Sequence, residues 1–373
     1  MRGQGFATPG CHLQAPGGPA QLGARCSGSP DLPITSSAAY KGARLSTLEP
    51  LWDMFMTSTG DLSRRLFLQC CGAFAAAGAS GAAAQQDTEA PAPACWRHQL
   101  GERELIVLSD GHLVVPTVLL AGNVGGGELT AYLTSVGLGR LRSVHFHINV
   151  ALIRAGEEHI LIDAGAGGTW EPTAGRLADS LEAAGIAPEA IGKVVITHAH
   201  PDHIWGLIDE LDNSLRFPRA EYLVSAREWE FWTGGEAARL TGPLEGVAAG
   251  AKRVFAAIAE RTSRIRPGSE ILPGIVALNT PGHTPGHISL LLTAGADKLL
   301  ITGDAVQNNH VALAHPDWQP IPDMDGAEAA RSRRQLLDLA ATDQLKVLCY
   351  HMPFPGLGRV ERRGTAFAWT AQL

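Results

Sequence analysis

Within six residues the chain places three imidazoles and one carboxylate: His198, His200, Asp202 and His203. Neutral imidazole and carboxylate are the ligands that zinc accepts, and to a lesser degree iron and manganese. A loop this short can turn two of these side chains one way and two the other. That suits two ions a few ångströms apart better than one. The bland alternative is a surface loop that happens to be rich in histidine. Two features argue against it: the cluster follows the apolar run 193–197, and further ligand types recur downstream. Thr280-Pro-Gly-His-Thr-Pro-Gly-His287 carries His283 and His287, Ile301-Thr-Gly-Asp304 ends in Asp304, and Cys349-Tyr-His351 ends in His351. Taken singly these pieces are weak, but in this order after the first cluster they are strong. Two divalent ions sharing a carboxylate can share a water and lower its pKa toward neutrality, and the resulting hydroxide attacks carbonyl carbon or phosphorus. Asp202, the one carboxylate of this first cluster, is the candidate to pass a proton to the leaving group. The six cysteines form no Cys-X-X-Cys, so neither a thiolate zinc site nor a thioredoxin-type site is supported.

Such side chains need strands to deliver them to one place. Short β-rich runs at 104–109, 149–153, 159–162, 193–197, 221–224, 276–280, 288–293, 299–302 and 345–350 read as strands. Helical spacing covers 173–184, 226–232, 244–259 and 326–341. The ligand candidates follow, or nearly follow, the ends of these strands, so all would arrive at one sheet edge. Strands and helices mixed in this way define an α/β (α+β) chain with one folded domain over 104–373.

The apolar share is 45% and the charged share 18%, ordinary for a globular chain with a core. A net charge of −7 leaves no basic footprint for nucleic acid. Residues 1–55, rich in Gly, Pro and Ser without periodicity, read as a disordered leader or a mis-assigned start. Residues 56–84 hold Arg64 and Arg65 ahead of a short, alanine-rich apolar run. That is the pattern of a twin-arginine export signal, and it implies a periplasmic or exported protein with no stable membrane span. Residues 85–103 read as a linker. Cys95 and Cys349, the two cysteines beyond the signal, could pair in an oxidising compartment or stay as buried thiols.

Over about residues 104–373 the chain resembles the metallo-β-lactamase superfamily, on the four motifs quoted above. The resemblance implies a four-layer αββα sandwich with two divalent ions, Zn(2+), at one edge between the sheets. It implies that His198, His200 and His283 hold the first ion, Asp202, His203 and His351 the second, and that Asp304 bridges them. Asp163, in Leu-Ile-Asp-Ala-Gly, matches an aspartate that supports the ligands from behind, and His287 matches a position that is structural. The resemblance is to the methyl parathion hydrolase and lactonase-like branch, through the tail His351-Met-Pro-Phe-Pro-Gly. It implies a small-molecule ester, lactone or organophosphate as substrate. Common class B β-lactamases differ, having Cys where Asp304 stands. One departure is Gln307, where homoserine-lactone hydrolases often have tyrosine. Substrate-pocket candidates are His145, His147, Trp205 and His310; Trp229, Phe231 and Trp232 read as pocket wall or core. A mononuclear-iron persulfide dioxygenase and a metal-binding protein without turnover remain as alternatives, and a homodimer is left open.

Overall fold

The computed structural model describes residues 94–209 and 211–372. The expected leader and export signal lie outside them. Two seven-stranded sheets form the centre. The first runs in spatial and sequence order: β1 (Cys95–Leu100), β2 (Arg103–Pro116), β3 (Ser143–Ala155), β4 (Glu158–Ile162), β5 (Ile191–Ile196), β6 (Glu221–Ser225) and β7 (Thr262–Ile265). The second contains β8 (Glu270–Leu272), β9 (Ile275–Asn279), β10 (Ile288–Ala294), β11 (Asp297–Ile301), β12 (Lys346–Leu348), β13 (Leu357–Arg363) and β14 (Ala366–Ala371), likewise side by side. Helices are α1 (Gly126–Ser135), α2 (Leu177–Ala183), α3 (Pro201–Ile204), α4 (Ala226–Thr233), α5 (Pro243–Ile258) and α6 (Gly326–Thr342).

Apolar patterning explains the layers. In β5 the residues Ile191, Val194 and Ile196 join one buried cluster, while Val195 joins another on the opposite face. A strand buried on both sides reads as a nearly continuous apolar run, as this one does. The first cluster packs the outer face of the first sheet under α2, α4 and α5, through Leu181, Trp229, Trp232, Val254 and Phe255. The second lies between the sheets, where Val107, Ile153 and Ile162 meet Ala277, Leu290 and Ile301. A third joins the second sheet to α6 through Leu336, Leu337 and Ala340. Helix, sheet, sheet and helix therefore stack as the expected αββα sandwich.

The 85–103 stretch read as a linker in fact contributes β1, paired antiparallel along β2. Its alternation (Trp96, His98 and Leu100 against Arg97 and Gln99) is too short and polar to separate from a linker by pattern alone. A bulge in β2 between Ser109 and His112 turns Asp110 inward. Its carboxylate accepts from the backbone N–H of Ala166, Gly175 and Leu177, at 2.8, 3.2 and 2.7 Å. Gly165 (φ +71°) lies directly over that carboxylate, where a Cβ would fall 2.5 Å from its carbon. The loop after β4 is thus held just beyond Asp163, its first residue.

Candidate metal centre

Parallel pairing sets where the polar residues emerge. β4 and β5 run parallel, so Asp163 and the 197–203 loop leave the first sheet side by side. β11 and β12 also run parallel, which brings Asp304 and His351 out together from the second sheet. His283 sits in the turn from β9 to β10. All seven predicted side chains are nearly or fully buried and meet at this one end.

His200 Nδ1 stands 2.8 Å from His283 Nε2. The Asp304 carboxylate reaches both halves of the cluster: Oδ1 lies 3.2 Å from His203 Nε2, and Oδ2 lies 3.3 Å from His283 Nε2 and 3.1 Å from His351 Nε2. Asp202 Oδ2 lies 3.2 Å from His351 Nε2 and 3.5 Å from His203 Nε2. Three sets of donor atoms, each mutually within 4.8 Å, could hold an ion: His198, His200 and His283; Asp202, His203 and His351; and the overlapping His198, His203 and Asp304. The residues fit a pair of cations. His198 Nε2 is buried without a hydrogen bond, and His203 Nε2 and Asp304 Oδ1 are buried with ion-pair contacts but no hydrogen bond, a costly state for His198 above all unless something else binds it.

The surroundings orient each ring. Asp163 adopts φ 62° and accepts from the Thr197 N–H (2.8 Å), the Thr197 hydroxyl (2.7 Å) and His203 Nδ1 (2.8 Å). That leaves His203 Nε2 aimed at the cluster. His283 Nδ1 faces Asp323 Oδ1 at 2.8 Å, and His351 Nδ1 faces the His147 carbonyl at 2.7 Å. Carboxylates and carbonyls behind ligating histidines fix the tautomer in this way. His287 does not join the donors. Burial pushes its pKa down to about 3, and its Nε2 accepts the Asp304 N–H at 3.0 Å. Gly303 (φ +52°) is required there, since a Cβ would lie 2.7 Å from His287 Nε2.

Changing Asp163 to Asn keeps a residue type that tolerates positive φ and removes the charge behind His203 together with one acceptor oxygen, since the amide nitrogen must face either the Thr197 N–H or the Thr197 hydroxyl and His203 Nδ1. The expected result is metal binding weaker by about 10- to 100-fold, read by chelator competition. Unchanged affinity would mean that Asp163 shapes the backbone alone.

Electrostatics separate the two halves. Burial lowers His198 and His200 well below the usual imidazole pKa, and neighbouring imidazoles add to the effect. Both are therefore neutral, as ligation requires. Burial opposes ionisation of Asp202 and Asp304, yet His203 and His351 outweigh it and hold both carboxylates well below their ordinary range. Burial also opposes a charge on His351, but Asp304 and Asp202 prevail and push it up to about 10. The stability this gives the metal-free fold is complete below the unfolded imidazole pKa of about 6.5. It is lost as the pH rises through about 10. Zinc uptake at pH 8 should then release about one proton or more per chain, seen by calorimetry in buffers of different ionisation enthalpy. Uptake with no buffer dependence at that pH would contradict this charge state.

The pocket candidates come from several elements. His145 and His147 lie on β3, where both rings face His112 of β2, at centroid distances of 4.4 and 6.2 Å. Trp205 packs edge-on to Trp170 and beneath Gly250 of α5. His310 is half-buried beside α1, its carbonyl accepting from the Tyr132 hydroxyl. Trp229 and Phe231 are core, and Trp232 presents its ring edge to His200 at 6.1 Å. Cys95 and Cys349 are both free thiols.

Tyr350, Asp323 and Glu228 were not singled out by sequence, and Gln307 was noted only as a departure. Tyr350 stacks on His203 at 4.0 Å and donates to the Asp202 carbonyl at 2.8 Å. Asp323 holds His283 and pairs with Arg333 at 2.9 Å, and Glu228 lies buried behind the 197–203 loop. Gln307 is turned toward His283 Nδ1 (2.8 Å) and Asp323 (3.2 Å).

The sandwich and its edge cluster define a class, and residues 144–351 match the metallo-beta-lactamase superfamily. The chain belongs to that superfamily. Among solved structures it is similar to AidC, a dizinc quorum-quenching lactonase in complex with N-hexnoyl-L-homoserine. That match has 27% identity and a TM-score of 0.70, covering 75% of this chain and 97% of AidC. The hydrolase AbOPH is similar at 26% identity and TM-score 0.70, covering 75% and 98%. Among curated proteins, YobT of Bacillus subtilis (strain 168) is 30% identical over 162 residues, 43% of this chain and 63% of YobT. An N-acyl homoserine lactonase from Bacillus sp is 28% identical over 131 residues, 35% of this chain and 44% of its own length. The chain thus spans less than two thirds of either curated relative. No helix among the described residues is long and apolar enough to cross a membrane.

Proposed function

We propose that this chain is a hydrolase with two divalent ions, zinc in each position, acting on small-molecule esters, lactones or phosphotriesters. His198, His200 and His283 hold one ion, Asp202, His203 and His351 the other, and Asp304 is shared. The observation that carries the reading is the convergence of four separated loops on buried donor atoms, three of which have no hydrogen-bond partner in the protein. When bound, the ion pair supplies a water of lowered pKa and a Lewis acid for a developing oxyanion.

The chain's own residues do the remainder. Asp202, whose carboxylate stands 3.2 Å from His351 Nε2 and 3.5 Å from His203 Nε2, is the candidate to take a proton and return it to the leaving group. The Tyr350 hydroxyl fixes the carbonyl of that residue, so the carboxylate does not drift with its loop. Cys349 is no nucleophile: burial pushes its thiol up to about 12. Similarity to AidC and to the Bacillus lactonase favours a lactone. Gln307, turned toward the outer nitrogen of His283 and toward Asp323, stands where homoserine-lactone hydrolases often carry tyrosine and keeps aryl esters and phosphotriesters beside it. Residues 56–84 would export the enzyme.

The test is the full chain loaded with zinc and assayed against N-acyl homoserine lactones, aryl esters and phosphotriesters. About two zinc per chain with turnover of one class is expected. About one iron per chain in the protein as purified, with thiol-dependent oxygen uptake, would instead establish a dioxygenase. Two ions without any turnover would leave a metal-binding protein.

A further inference from the structure

Glu228, in the first turn of α4, is fully buried, and all four of its hydrogen-bond donors are neutral. Oε1 accepts from the Ala199 N–H at 2.8 Å and the Trp232 Nε1–H at 2.7 Å. Oε2 accepts from the Thr284 hydroxyl at 2.8 Å and the Gly286 N–H at 2.9 Å. Ala199 lies between His198 and His200, and Thr284 directly follows His283. One carboxylate therefore grips both loops that supply the His198, His200 and His283 set, an oxygen for each. Gly286 permits the approach, since a Cβ there would lie 2.1 Å from the Glu228 nitrogen.

We propose that Glu228 is a positioning residue for the first ion, its carboxylate setting the separation of the 197–203 and 280–287 loops and so of His200 from His283. The proposal rests on the reading of the centre given above. The donor pattern explains why a carboxylate is needed. Both groups at Oε1 are N–H donors, and so is Gly286 at Oε2. A glutamine amide has the same shape but turns N–H toward N–H in either orientation. A buried group left in that state loses its bonds and pushes one loop away. Trp229 and Phe231, buried on the same helix, make no hydrogen bond to the carboxylate, whereas Trp232 does.

The test uses the full-length chain and zinc. Wild type and Glu228→Gln are loaded, and their ions are withdrawn with increasing chelator, alongside melting of each metal-free protein. The expected result for Glu228→Gln is one ion per chain lost at about 10- to 100-fold lower chelator, with the other retained as in wild type. Thr284→Val, which removes one donor and no charge, should shift the same ion by less and serves if the glutamine variant does not fold. A variant that melts lower yet keeps both ions at wild-type affinity would show a structural role only and overturn the proposal. Wild type that binds fewer than two ions would overturn the reading of the centre itself, and the proposal with it.

Discussion

Replacing Asp304 with alanine should lower kcat/KM by about 1,000-fold or more and reduce metal from about two ions per chain to about one. Asp304 contacts members of both halves of the cluster: His203 through Oδ1, and His283 and His351 through Oδ2. Asp202 reaches only His203 and His351. Without Asp304 each remaining set has three donors, and the imidazoles lose the negative charge between them. One ion less removes several kcal/mol of transition-state stabilisation, and every 1.36 kcal/mol is about tenfold in rate. Metal analysis and initial rates on the same preparation check both halves of this prediction. An Asp304→Ala protein with full metal content and full activity would contradict the bridging role.

The second large effect lies away from the chemistry. Arg333 on α6 is fully buried and uses all three guanidinium nitrogens: Nε to the Ala305 carbonyl (3.0 Å), Nη1 to those of Pro316 and Trp318 (3.0 and 2.8 Å), and Nη2 to Asp323 (2.9 Å). Changing it to leucine leaves the Asp323 charge buried and those carbonyls unmatched. Breaking a buried pair from one side costs about 3–5 kcal/mol, read as a lower denaturant midpoint. Because Asp323 also orients His283, metal affinity should fall as well. Adding Asp323→Asn to Arg333→Leu should recover part of the stability, since the stranded charge is then gone. Stability that falls further in the double variant would mean that Asp323 contributes through His283 and Gln307 more than through Arg333.

How much of this could be read from the chain depends on whether interacting residues are neighbours in sequence. The 197–203 loop is legible because its donors are contiguous and follow a run of β-branched residues. Asp163 is legible through its motif. Glu228, by contrast, stands in Ala-Arg-Glu-Trp-Glu-Phe-Trp, where a glutamate reads as the solvent face of a helix. Its partners are a backbone N–H 29 residues earlier and loop groups 56 and 58 residues later. Arg333 and Asp110 are hidden for the same reason, since their partners are mostly main-chain atoms brought close only by the fold. Among the strands, the doubly buried β5 and β11 were plain. β7 (Thr-Ser-Arg-Ile), β8 and the β13–β14 hairpin lie at or near sheet edges with polar, exposed residues, and carry little apolar signal. Helix α1 begins in a Gly-Gly pair that reads as a turn.

Anomalous diffraction at the zinc edge, from crystals of the zinc-loaded full-length protein, puts the account at greatest risk. Two peaks are expected, one enclosed by His198, His200 and His283 and one by Asp202, His203 and His351, with the Asp304 carboxylate in contact with both. A single peak, or zinc bound elsewhere while these seven side chains keep their present contacts, would contradict it.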